Sequence, residues 1–425
     1  MRALLLFALS PLAFAQVDAE LYSYISQIRA IDNHAHPMRL IRAGEKTDPE
    51  VDALPGTGIE ESPPPIRGRS DNLEYVPIWR ELYQYPYSDA SADHLKGLDA
   101  LRARKIAEFG SGYPSWILDQ IGIERMMTNR VAMAPELPAA RFAWIAFVDA
   151  LMYPLDNSVL KKDSPDKAVF FGDEERLLKR YMNGATRPAS LADYKSKIIT
   201  ATMERLKREG AVGVKFEMAY LRTLAVGSVS QTEAAAVYSG RSNDYKKLQD
   251  YLFRFITSEA GRLSLPVQIH TMGGGLGSYY SAAEANPILL EPVFNDPELR
   301  RTTFILVHGG EPWAKLTREM FGKPNVYADF SAQTTFLYPR ALSALIRDWL
   351  EAYPDRVLFG TDAFPTSATG GWEESGYLAA ITGRKALAMA LTGMLEDGEI
   401  TRDRAHELAR MVMRENALAV YGLPK

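Results

Sequence analysis

The second half of the chain alternates short apolar runs with longer amphipathic ones, and this alternation restricts the fold more than any other feature. A charged helical stretch, Leu191–Gly210, precedes Ala211-Val212-Gly213-Val214-Lys215-Phe216. Helix Asp244–Leu263 leads to Pro266-Val267-Gln268-Ile269-His270, and a helix over Ala282–Phe294 leads to Thr303–His308. A shorter helix leads to Val326–Phe330, helix Ala341–Ala352 leads to Val357–Asp362, and two helices, 375–394 and 401–419, close the chain. The short runs are apolar on both faces, as strands buried in a parallel sheet must be.

The first half supplies a helix over 17–30 and three further strands, Ala30–Asn33, Ile121–Met127 and Phe142–Val148. Eight parallel strands alternating with helices predict a (β/α)8 TIM barrel, with an open doubly wound sheet as the alternative. Residues 40–75 read as a long Gly-, Pro- and charge-rich loop. Residues of about 70–120, carrying Trp79, Tyr83, Tyr85, Tyr87 and Trp116, predict a helical insertion after the first strand.

The N-terminus reads as an address. Arg2 precedes an apolar run from Ala3 to Ala15, and Ala13-Phe14-Ala15 forms a small-x-small cleavage site before Gln16. Residues 1–15 are therefore expected to be a signal peptide, leaving a mature barrel domain over 16–425 that is periplasmic or secreted. No later stretch of membrane-spanning length is free of charge. The partners expected are a small-molecule substrate and, compatibly, further copies of the chain in a homo-oligomer. With a net charge of -4 there is no basic field for nucleic acid. The chain has no cysteine, which excludes disulfide scaffolds, thiolate metal sites and thiol catalysis.

Chemistry concentrates at strand ends. Four of the six histidines, His34, His36, His270 and His308, end predicted strands, as does Asp362, while Lys215 lies near the end of another. All strand C-termini of a parallel barrel share one face, so these six groups converge there. His34 and His36 are two apart and point to one side of an extended chain. Imidazoles plus a carboxylate, without thiolate, suit Zn²⁺, with Mn²⁺ or Fe²⁺ as alternatives. His94 and His406 fall in charged, helix-like sequence and read as surface residues. Gly273-Gly274-Gly275-Leu276-Gly277 matches no phosphate-binding pattern and reads as a loop beside the site.

In order, the segments Asn33-His34-Ala35-His36-Pro37, Val267–His270, Leu306-Val307-His308-Gly309-Gly310, Asn325–Asp329 and Phe359–Pro365 resemble the amidohydrolase superfamily, in its amidohydrolase-related branch. Arg414–Gly422 is similar to that family's closing helix. The resemblance spans about residues 28–425 and is dense from 211 onward. It implies a metal held by His34, His36, His270 and Asp362, with His308 completing a second metal site or binding substrate. Lys215 sits where two-metal members carry a carboxylated lysine, and otherwise would hold a substrate carboxylate as an ammonium. Glu217 is a competing carboxylate on the same side. Arg222 is a further candidate for a substrate carboxylate. The resemblance implies Asp362 as general base toward a metal-activated water and His308 as a group polarising the scissile carbonyl. The expected reaction is hydrolysis of an amide, ester or lactone of a small extracytoplasmic substrate. The alternatives are non-oxidative decarboxylation of an unsaturated or aromatic acid, and metal-loaded binding without turnover.

Overall fold

The computed structural model describes residues 17–40, 65–272, 279–367 and 369–423. The segment read as a signal peptide, most of the Gly/Pro-rich loop and the glycine run lie outside these residues. Eight strands form one sheet in chain order, every neighbour parallel: β1 (Ala30–Ala35), β2 (Ile123–Arg130), β3 (Phe142–Phe147), β4 (Gly213–Phe216), β5 (Val267–His270), β6 (Phe304–Val307), β7 (Val326–Asp329) and β8 (Val357–Leu358). This is the TIM barrel, not the open sheet. The run Val357–Asp362 pairs as a strand only over its first two residues. The rest closes the barrel against β1. Asn33 N–H donates to Phe359 O at 2.9 Å, Asp362 N–H to His34 O at 2.7 Å, and His36 N–H to Ala363 O at 2.9 Å.

Alternation along the strands sorts side chains into two apolar clusters. Phe142, Trp144, Val214, Phe216, Val267, Ile269, Phe304 and Leu306 pack outward beneath the helices. Ile31, Met127, Ile145, Ile305 and Leu358 point into the barrel and meet Ala417, Leu418 and Tyr421 of the last helix, Asn416–Tyr421, which closes the bottom. The next inward positions up the strands are polar. Asn33 lies two residues after Ile31, Asn129 two after Met127, and Asp329 two after Tyr327, with Lys215 and Gln268 at matching inward positions on β4 and β5. The lumen therefore changes from an apolar plug to a layer of buried amides and a carboxylate, and the strand ends lie above it.

Between β1 and β2 the chain runs through helices Tyr75–Tyr83, Ala92–Leu95, Leu98–Phe109 and Tyr113–Gln120. Arg102 joins them to helix Trp372–Glu396 by an ion pair with the buried Glu374 at 2.6 Å. That 25-residue helix is long and apolar enough to cross a membrane, but 72% of its most apolar window is buried inside the protein. The helix expected over Ala282–Phe294 is instead a set of short turns ending in Glu291–Phe294. Asn286 precedes Pro287 and takes an extended backbone, ψ 124°, because the proline ring excludes the helical region for the residue before it.

Candidate metal centre

The ligand types expected at the strand ends meet at the C-terminal mouth. His34 Nε2 lies 3.2 Å from Asp362 Oδ1, and His36 Nε2 lies 3.6 Å from the same oxygen. The His34 and His308 rings meet edge to face at 5.0 Å, as do His270 and His308 at 4.8 Å. Among the described residues, His34, His308 and Asp362 each offer a donor atom, all within 4.8 Å of one another. His308, expected at a second site or against substrate, thus stands among the innermost donors. His36 and His270 flank this trio.

Simple alternation would place His34 opposite Asn33, away from the lumen. The β1–β2 register shifts between Asp32 and Ala35, and this irregularity lets both residues face inward. Asp32 fixes the bend: its Oδ1 accepts from His34 N–H at 3.2 Å and Thr361 N–H at 2.9 Å, tying the start of the site to its end. His308 and Asp362 both have left-handed backbones, φ 67° and 54°. Such strain at non-glycine residues concentrates at functional sites.

The hydrogen-bond network decides which ring nitrogen of His34 is bare. Gln268 Nε2–H donates to Asn33 O and to Tyr421 Oη, each at 2.7 Å. Gln268 Oε1 is then an acceptor, taking Asn129 Nδ2–H at 2.9 Å and facing His34 Nδ1 at 3.2 Å. His34 Nδ1 therefore carries the hydrogen, and Nε2 presents a lone pair. That lone pair faces the Asp362 carboxylate. Two acceptors 3.2 Å apart repel unless a proton or cation lies between them. Among the described residues, His34 Nε2 and His270 Nε2 also find no hydrogen-bond partner although buried. These residues fit a divalent cation, by chemistry and by the atoms left unsatisfied.

Electrostatics agree. Burial, chiefly, holds the His34, His270 and His308 imidazoles well below their ordinary pKa, and pushes His36 down to about 3. All four rings are thus neutral at pH 7, the form that binds metal. Lys215 is fully buried, its Nζ 3.0 Å from Glu217 Oε1. Glu217 Oε2 lies 3.5 Å from His270 Nδ1, and burial raises the pKa of its carboxyl. Lys215 and Glu217 therefore adjoin the cluster as a pair.

Arg222 goes elsewhere. Its guanidinium pairs with Asp250 at 2.5 Å and also donates to Gln249 Oε1 and to the carbonyls of Thr223 and Ala225. Against the expectation that it holds a substrate carboxylate, each nitrogen of this guanidinium is already engaged, one by Asp250 and the others by Gln249 and main-chain carbonyls. Trp313 is half-buried beside the segment that follows His308. Tyr220 packs on His270 at 4.7 Å and on Tyr280 at 5.1 Å, making an aromatic wall.

Sequence reasoning missed several partners. Asp149, just past β3, accepts Glu217 N–H with both oxygens at 2.8 and 2.9 Å, and burial pushes its carboxyl to about 8. Burial also raises Glu174 well above its ordinary range. Asp149 follows a strand as the ligands do, so its position was a usable signal. Gln268, Asn129 and Ser331 gave no comparable signal, being common polar residues.

The amidohydrolase family model matches residues 176–423, more than half of the chain and including every strand from β4 to β8. The chain belongs to the amidohydrolase family. No curated protein matches it closely enough to count as a relative. Among solved structures, this amidohydrolase is similar to a protein of Lactobacillus casei provisionally named a metal-dependent hydrolase, with 17% identity, TM-score 0.60, and 95% and 97% of the two chains covered. It is equally similar to glucuronate isomerase from Caulobacter crescentus, with 14% identity, TM-score 0.61, and 96% and 94% covered. Uronate isomerase from Thermotoga maritima follows at 13% identity and TM-score 0.54, with 83% and 79% covered. At these identities the likeness is one of fold.

Proposed function

We propose that this amidohydrolase is a metal-dependent hydrolase cleaving an amide, ester or lactone of a small substrate outside the cytoplasm. The observation that carries the reading is the bare Nε2 of His34 facing the Asp362 carboxylate across 3.2 Å, with His308 beside both. His34, His36, His270 and Asp362 would hold the ion, with His308 close enough to share it; zinc suits these ligands best, and manganese or iron would also fit. When bound, a divalent metal lowers the pKa of water toward about 7 and supplies a nucleophile at neutral pH.

The chain's own residues supply the rest. The Asp362 carboxylate accepts the proton lost by the attacking water and returns it to the leaving group. The neutral His308 ring faces the same space and would lend its Nε2 lone pair to the ion. The wall formed by Tyr220 and Tyr280 seats an apolar or planar part of the substrate. Decarboxylation would use the same ligands but also needs a cation for the substrate carboxylate. Arg222 is engaged by Asp250, and Lys215 is neighboured by Glu217, which favours the hydrolase. Export by cleavage after Ala15 accounts for the extracytoplasmic setting.

The test is elemental analysis of the chain lacking residues 1–15, with His34→Ala as control, followed by assays on amide, ester and lactone panels. Stoichiometric zinc, manganese or iron, lost in His34→Ala, together with turnover on one panel is the expected result. No metal after reconstitution would sink the reading.

A further inference from the structure

The two innermost imidazoles are held in different ways. His34 is set by Gln268, whose amide is pinned by the Asn33 main-chain carbonyl. His308 faces a hydroxyl instead, with Nδ1 2.9 Å from Ser331 Oγ. A hydroxyl can donate or accept, so it does not by itself choose the ring's tautomer. The choice is made one residue further out.

Asp329, at the end of β7, is fully buried and surrounded by donors. Its Oδ1 accepts His308 N–H at 2.9 Å, Ser331 N–H at 3.0 Å and Ser331 Oγ–H at 2.5 Å, and its Oδ2 accepts Asn33 Nδ2–H at 2.5 Å. With the Ser331 hydrogen given to Asp329, only oxygen lone pairs remain for His308. The ring must then carry its hydrogen on Nδ1 and leave Nε2 bare. We propose that Asp329 is a positioning residue: by taking the Ser331 hydrogen it makes Ser331 an acceptor and keeps Nε2 of His308 open for a cation. Asp329 also holds the His308 main chain, whose φ of 67° is a strained value for a histidine.

The chemistry has a sign. Among the described residues the Ser331 hydroxyl donates to Asp329 alone, so without that carboxylate it turns its hydrogen to His308 Nδ1. The ring hydrogen then moves to Nε2, the atom a metal would need. His34 keeps its tautomer because Gln268 is still held by the Asn33 main-chain carbonyl and by Asn129, although its bond to Tyr421 reaches Asp329 through the Asn33 side chain. The inference rests on the metal-site reading above for its purpose. Its readout is a tautomer in metal-free protein, so absent hydrolysis leaves it standing, and a wrong tautomer removes it alone.

The experiment is nitrogen-15 NMR of the histidine rings in the metal-free full-length protein, with zinc affinity measured in parallel. Six histidines make assignment by substitution practical. The parent should show His34 and His308 both hydrogenated on Nδ1. Asp329→Ala should move the His308 hydrogen to Nε2, leave His34 unchanged, and weaken zinc binding about 10–100-fold. Ser331→Ala should leave His308 a mixture of tautomers, and Ser331→Thr should restore the parent pattern. If Asp329→Ala does not fold, the two Ser331 variants decide. A parent His308 hydrogenated on Nε2 would overturn the proposal. So would a Ser331→Ala protein with His308 still wholly on Nδ1 and parental zinc affinity.

Discussion

Asp362 combines a carboxylate beside two imidazoles with a left-handed backbone at φ 54°. Asparagine tolerates that backbone better than other non-glycine residues, so Asp362→Asn removes the base and spares the turn. This variant should keep its melting temperature and lose about 10²–10⁴-fold in turnover; steady-state assays beside thermal melts check both halves. His36 gives a pH prediction. Burial lowers it from 6.5 to about 3. Between those values the unfolded chain holds a proton that the folded chain lacks, so the metal-free protein loses stability as pH falls through 6.5 toward 3. In His36→Gln that loss is absent, and its stability should fall less steeply than the parent's by about 1.4 kcal/mol per pH unit. Urea titrations at about pH 7 and about pH 5 measure the difference.

At the scale of elements, the site depends on sharp turns leaving short strands. After β6 the chain passes through three left-handed residues, His308, Gly309 and Gly310. A methyl on Gly309 would run into the Trp349 ring and come within 2.9 Å of Asp329 O. Gly309→Ala should therefore cost about 2–4 kcal/mol through overpacking and backbone strain, and lower metal content by displacing His308. Gly398→Ala is the control, because φ is 72° there and a methyl meets nothing within 4 Å. It should cost only the backbone strain, about 1–2 kcal/mol, with metal content unchanged. Chemical denaturation and elemental analysis of both variants separate crowding from strain.

At the scale of the molecule, the donors come from β1, β5, β6 and the segment after β8, so an ion bound among them joins distant parts of the barrel. The fold buries the imidazole rings with nitrogen atoms left unsatisfied, and an ion could meet all of them at once only there. Metal should therefore raise the folding free energy by about 3 kcal/mol when free ion exceeds its dissociation constant 100-fold. Melting curves with chelator and after zinc return should differ accordingly, and His34→Ala should abolish the difference.

Eight buried parallel strands, and the polar residues at their ends, were legible in the chain's own pattern, while closure into a barrel rather than an open sheet came with the bonds between β1 and the segment after β8. Strand and helix periods are local properties, and buried parallel strands must be apolar on both faces. Histidine is scarce in this chain, so four placed at strand ends stood out without any knowledge of contacts. How these groups are held depends on contacts between distant strands. Gln268, Asn129, Ser331 and Asp329 are ordinary polar residues whose importance lies in the register between strands. Arg222 illustrates the converse. Its sequence position suggested a substrate, but the fold brings it to Asp250. A ligand is recognisable from its own chemistry, whereas a partner is defined by a distance that the chain sets only when it closes on itself.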